Sequence, residues 1–242
     1  MTILDKHRKC LYCGQDILSS YYYDWAGNAI CSKHGLNAIQ RCVSCQRFVD
    51  TSAADIGNGI KLCRKCQANL ITMEAARKLI DNIKILYRNC GIGEISGCNI
   101  EVEEAQSFFA RSGNFKCRGL AHRYGSQYTI YILRSVSQVV FADVLAHEKL
   151  HIWQYNHNCH PDSFRCEGFC NLGSYYILTK IKNPESEARI QGMLDNQDPI
   201  YGEGFRYMKN IYDKTGWPGA IAEISIFKTK KITIKKLNYV HY

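Results

Sequence analysis

The chain has 242 residues, 46% of them apolar and 22% charged, with a formal net charge of +9, a composition that fits a folded globular protein and excludes a disordered or collagen-like one. No run of 18 apolar residues occurs, so no membrane span is expected, and the opening "MTILDKHRKC" carries charges where a secretory signal needs an apolar stretch. Thirteen cysteines without an export signal, several in Cys-x-x-Cys pairs, point to metal ligation in the cytoplasm rather than to disulfides.

Four ligand pairs come first: Cys10 with Cys13, Cys31 with His34, Cys42 with Cys45, and Cys63 with Cys66, each with two residues between its members. A tight turn between two such ligands lets both side chains converge on one ion, as tetrahedral zinc requires. Sliding the first half by 32 residues lays Cys10, Cys13, Cys31 and His34 onto Cys42, Cys45, Cys63 and Cys66. The same shift carries Ile17 onto Val49, Gly27 onto Gly59 and Ile30 onto Leu62. Each half therefore reads as a complete zinc unit with a short β-hairpin turning near its glycine.

The order of ligands is shared with RING domains, whose two zinc sites interlock and whose histidine lies very close to the next cysteine. Here seven residues separate His34 from Cys42, which favours two sequential sites. Over residues 1–70 the chain resembles a LIM domain, of the treble-clef type. It departs from the usual pattern in its Cys-x-x-His pair at Cys31 and His34 and in its longer linker. So short a module buries little core, and two structural zinc ions are expected to supply most of its folding energy. LIM-like modules bind proteins. No recognition helix or set of base-reading residues is present, and no nucleic-acid partner is expected.

Residues 71–242 read as a second domain. "ANLITMEAARKLIDNIKILYRNC" has apolar residues at helical spacing (Ile71, Ala75, Leu79, Ile83, Leu86) and is expected to end near Gly91. A short strand and a polar or helical stretch follow in "GCNIEVEEAQSFFARSG". "QYTIYIL", Gln127–Leu133, is β-branched and aromatic and reads as a strand. It is a candidate edge for aligning an extended peptide by backbone hydrogen bonds.

After a polar break at 134–138, "VVFADVLAHEKLHIWQY" reads as a helix on which His147 and His151, four apart, share one face and can reach one ion. Glu148 is rotated about 100° from His147, beside the metal rather than on it, where a general base must stand. Lys149 is expected on the outer face. A catalytic zinc needs a third protein ligand and an open position. Glu167, separated from His151 by fifteen residues and at the expected start of another helix, is taken as that ligand; Gly168 is expected to bring its helix close to the metal helix. His157, Cys159 and His160 read as loop residues, and Cys166 and Cys170, one helical turn apart, as buried packing thiols. Cys90, Cys98 and Cys117 form no constellation.

A LIM-like module, then His-Glu-x-x-His, then a Glu-Gly helix, then "DPIYGEGFR" at Asp198–Arg206 is together similar to the LIM-domain peptidases of plant organ-size control and their bacterial relatives, from about Cys10 to about Trp217. The resemblance implies an α+β architecture with a zincin-like metallopeptidase domain that cleaves intact proteins at few sites. It implies one catalytic zinc on His147, His151 and Glu167, with Glu148 as base, although Cys166 stands where the family often has a second acid. It also makes Tyr201 a candidate for stabilising the oxyanion or binding substrate. The basic tail, about 218–242 with "FKTKKITIKK" within it, lies beyond the match and is assigned no partner. The expected function is a zinc endopeptidase acting on protein or peptide substrates, its LIM-like module serving partner recognition or regulation. The alternative is a zinc-stabilised protein-binding scaffold whose His-Glu-x-x-His site is structural or inactive.

Overall fold

The computed structural model describes residues 8–125 and 127–228. The chain divides into two units, Met1–Leu70 with Ser135–Ser137, and Ile71–Arg134 with Gln138–Tyr242. Helix and strand are mixed throughout, an α+β arrangement.

In the first unit the 32-residue repeat is a repeat of backbone hydrogen bonds. The hairpin β1 (Tyr21–Tyr23) and β2 (Ala29–Cys31) corresponds to β3 (Ala54–Asp55) and β4 (Lys61–Leu62), both pairs antiparallel. Each first Cys-x-x-Cys turn closes alike, with Gly14 N donating to Cys10 O and Gln46 N to Cys42 O. Both turn residues adopt left-handed φ, +68° at Gly14 and +61° at Gln46. Glycine takes this conformation without strain, whereas Gln46 is held there by its side-chain amide, which donates to Cys42 O at 3.0 Å. Two short 3-10 turns, Ser32–His34 and Leu36–Ala38, end the first half, and α1 (Arg64–Gln67) ends the second.

The halves are tied by Asp24, which is 5% exposed. Its carboxylate accepts from Ala26 N, Asn28 N and Asn28 Nδ2 of its own turn and from Phe48 N of the other half at 2.7 Å. Beside it, Trp25 Nε1 donates to Cys45 O at 2.7 Å. Cys10, Ile30, Cys31 and Phe48 make the small apolar core.

The second unit begins with α2 (Met73–Asn89), capped by Thr72 and burying Ala76, Ile83 and Tyr87. A three-stranded sheet follows in the order β5 (Cys98–Glu103), β7 (Gln127–Leu133), β6 (Gly119–Tyr124), with α3 (Ala105–Ser112) after β5. β7 is parallel to β5 and antiparallel to β6. It is thus the central strand, with Ile130, Ile132 and Leu133 fully buried. Both its edges are paired, which removes it as a peptide-aligning edge; the edge strands of this sheet are β5 and β6.

Four helices complete the unit: α4 (Gln138–Asn156), α5 (Ser163–Ile181), α6 (Pro184–Asp195) and α7 (Tyr201–Ser225). α4 packs against β6, β7, α2 and α5, and α5 packs against α7. With neighbours on all these sides α4 has no outer face over its middle turns, so Lys149 is only 6% exposed, contrary to expectation. Burial pushes its ammonium below the ordinary lysine pKa. α5 starts at Ser163, a turn earlier than expected, because the Asp162 carboxylate caps it by accepting from Arg165 N at 2.9 Å. α7 reaches into the expected tail and breaks at Gly216 (φ 67°), before Pro218. Ala220 and Ile224 beyond the break are buried. The basic segment beyond Lys228 lies outside the described residues. Among the described residues no helix is long and apolar enough to cross a membrane.

Candidate metal centres and the His-Glu-x-x-His site

Every expected zinc ligand of the first unit falls into one of two groups, Cys10, Cys13, Cys31 and His34, and Cys42, Cys45, Cys63 and Cys66, with the donor atoms of each group within 4.8 Å of one another. All these cysteines are free thiols. Cys45 Sγ and Cys63 Sγ lie 3.8 Å apart, close to the ~3.8 Å edge of a tetrahedron with zinc–sulfur bonds of about 2.3 Å. His34 Nε2 is buried without a hydrogen-bond partner among the described residues, as a nitrogen reserved for a metal would be. The donor sets fit zinc.

The second group holds four thiols where the first has three and a histidine, so with a divalent ion it carries one more negative charge. It also has a compensating cation. Arg47 Nε donates to Cys45 Sγ at 3.1 Å and Arg47 Nη2 to Cys63 Sγ at 3.8 Å. The 32-residue shift lays Arg47 on Gln15 of the first half. A charged donor thus stands beside the four-sulfur group, with a neutral glutamine at the matching position of the first half.

In the second unit α4 and α5 bring together three donors, two from α4 and one from α5. His147 Nε2 and His151 Nε2 are 3.1 Å apart. Glu167 Oε2 lies 3.2 Å from the first and 3.6 Å from the second. Zinc bonds of about 2.0–2.1 Å require ligand separations of ~3.3 Å in a tetrahedral shell, so this triad also fits. His151 and Glu167 are at most 2% exposed. Burial opposes an imidazolium at His151, yet the Glu167 carboxylate and then Cys166 outweigh it and push its pKa well up. The cluster calls for positive charge, and a bound cation would supply it.

The imidazoles are oriented from behind. His147 Nδ1 is 3.0 Å from Asn171 Oδ1, while Asn171 Nδ2 donates to Tyr201 O at 3.0 Å. With the amide nitrogen committed to a carbonyl, Oδ1 is an acceptor. His147 therefore carries its proton on Nδ1 and keeps the Nε2 lone pair for the cluster. His151 Nδ1 meets Cys166 Sγ at 3.7 Å. Cys170 Sγ lies within 4.8 Å of donor nitrogens of both histidines, so the two thiols border the site as well as pack the core.

Glu148, 2% exposed, accepts from Ala121 N of β6 through Oε2 at 2.9 Å. Tyr201 is half-buried at the start of α7. Burial, then the charges of Glu167, Asp198, Cys166 and Glu148, raise its pKa and keep its hydroxyl protonated as a donor.

The glycines of the "EGF" and "YGEGF" stretches explain how α7 reaches the site. A Cβ on Gly168 would stand 2.3 Å from Gly204 O, and one on Gly204 would stand 2.3 Å from Phe164 O. α5 and α7 thus cross backbone to backbone. Gly168 serves this crossing, not the approach of α5 to the metal helix that its place after Glu167 suggested.

Among the described residues, His157, Cys159 and His160 join no metal group. The His157 ring stacks on Trp153 at 4.1 Å, Cys159 Sγ donates to His157 O at 3.8 Å, and His160 N donates to Phe227 O. The sequence reading missed Asn171, Gly119 and Ala121. Asn171, four residues after Glu167 on the same helix face, was findable from spacing. The contact from β6 depends on tertiary packing and was not. No family model, curated protein or solved structure matches the chain.

Proposed function

We propose that the chain is a zinc-dependent endopeptidase in which a zincin-like second unit cleaves protein substrates and the LIM-like first unit recognises a partner. The observation that carries this reading is the buried His147, His151 and Glu167 triad, with separations of 3.1–3.6 Å, and the Glu148 carboxylate on the next residue. A zinc ion there would polarise the scissile carbonyl and acidify the attacking water. Glu148 takes the proton of that water on a carboxylate oxygen and returns it to the nitrogen of the leaving amine. The Tyr201 hydroxyl, held protonated, donates to the developing oxyanion. Asn171 fixes the His147 ring while this happens. The eight ligands of the first unit hold two structural zinc ions, and their thiolates suit a reducing cytoplasm.

A scaffold with a structural third site is the second reading. It is favoured by Cys170 Sγ, close enough to both histidines to close the ligand shell. Metal analysis of the purified chain with a Glu148→Gln variant separates the two. The peptidase reading expects about three zinc ions per chain in both proteins and cleavage of a denatured protein by the parent alone. Two ions in the parent, with none lost on His147→Ala, would sink it. Three ions with equal inactivity of parent and variant would favour the scaffold.

A further inference from the structure

Strand β6 touches the base itself. Its pairing with β7 puts Leu120 opposite Tyr131, Ala121 opposite Ile130 and His122 opposite Thr129. Arg118 O accepts from Leu133 N. In an antiparallel ladder the residues that bond the partner alternate, so Arg118, Leu120 and His122 face β7, and the peptide groups of Gly119 and Ala121 face the other way, toward α4. Ala121 N–H spends this outward position on Glu148 Oε2 at 2.9 Å.

The approach that makes the contact possible is unusually close. A Cβ at Gly119 would lie 2.1 Å from Val144 Cγ1 and 3.3 Å from both Glu148 Cγ and Glu148 Oε1. Only a residue without a side chain lets β6 lie against α4 at the turn that carries the base. Gly119 thus provides the cradle, and Ala121, two residues on, provides the donor.

Resting on the peptidase reading above, we infer that Ala121 is a positioning residue that orients the general base: its backbone N–H pins Glu148 Oε2 and so directs the other carboxylate oxygen to the proton that moves. A carboxylate next to an apolar helix has several rotamers, and fixing one oxygen removes the freedom to turn away from the reacting water. No side chain at position 121 takes part. The function belongs to a peptide group, which is why it leaves no residue-type mark in the sequence.

Ala121→Pro is the direct test. It deletes the N–H, and because that N–H faces away from β7 it breaks no bond of the ladder, the one setting in which an edge strand accepts proline. In the zinc-loaded full chain acting on a denatured protein, kcat is expected to fall about 10–100-fold with KM and zinc content unchanged. A kcat within twofold of the parent, with zinc retained, would overturn the inference. A second measurement does not depend on peptidase activity or on the proline variant folding. The Ala121 amide proton, followed by NMR, should shift upfield and exchange faster with solvent in Glu148→Ala than in the parent. An unmoved Ala121 amide would also overturn the inference. If the parent cleaves nothing but the amide responds to Glu148→Ala, the contact stands and the peptidase reading has failed.

Discussion

A methyl group at Gly168 should force apart the two helices that carry Glu167, Asn171 and Tyr201. Its Cβ would stand 2.3 Å from Gly204 O and 3.0 Å from Met208 Cγ, where ordinary contact begins at 3.4 Å. The side chain of Met208 can swing aside, but a helix carbonyl cannot, so α5 and α7 must separate by about 1 Å. Two effects oppose each other. Alanine is the better helix former by ~1 kcal/mol, whereas overpacking costs ~1–3 kcal/mol, the upper end applying where rigid backbone is the obstacle. The second wins, leaving Gly168→Ala less stable by about 1–2 kcal/mol, or about 2–8 °C in Tm for a unit of this size. Gly192 in α6 is the control, since its Cβ would meet no atom within 4 Å. Only the propensity effect acts there, and Gly192→Ala should raise stability by up to ~1 kcal/mol. Thermal unfolding of the full chain reads both. If Gly168→Ala melts at or above the parent, or moves with Gly192→Ala, the close crossing of α5 and α7 is wrong. With it would go the explanation of how Tyr201 and Glu167 are held together.

Arg47→Met removes the donors to Cys45 Sγ and Cys63 Sγ and should weaken zinc at the four-cysteine group about 10–100-fold in chelator competition; equal loss at the Cys10 group would contradict a local charge effect. Asp162→Ala removes the cap of α5 and should cost about 1 kcal/mol at neutral pH by urea unfolding. Burial opposes the charged form of Asp162, but hydrogen bonds from Arg165 N and then its guanidinium hold the carboxyl below its ordinary value. A carboxyl lowered in the folded state stabilises above its unfolded pKa of about 4 and loses that contribution as pH falls through the lowered value. Parent and variant should therefore converge in stability below pH ~4, and a gap that persists at pH 2 would refute the cap as its source.

Much of the site was legible because its signals are local. A Cys-x-x-Cys turn, or two histidines four apart on a helix, converge on one point whatever surrounds them, since backbone geometry alone sets the distance. The 32-residue repeat was legible for the same reason, each half closing its own hydrogen bonds. Gln127–Leu133 was readable as a strand from its residue types. Its place at the centre of the sheet was not, because pairing with β5 and β6 is a long-range choice.

The misreadings share a cause. Lys149 carries a charge, and charge alone suggested an outer face, but α4 is enclosed by the sheet and by α2 and α5 and leaves it none. Gly168 follows Glu167, and adjacency suggested that it served the metal helix, whereas its missing Cβ faces α7. By itself the sequence determined which atoms could be donors, the two cysteine groups and the His147 and His151 pair, because those depend on a few covalent bonds. Only the tertiary structure decided that Asn171 holds His147, that Arg47 serves one thiol group and not the other, and that a peptide N–H of Ala121 meets Glu148. Apart from the Arg47 bond to Cys45, two residues away, those contacts join separate segments of the chain, and what brings them within hydrogen-bond reach is the packing of whole helices, strands and turns.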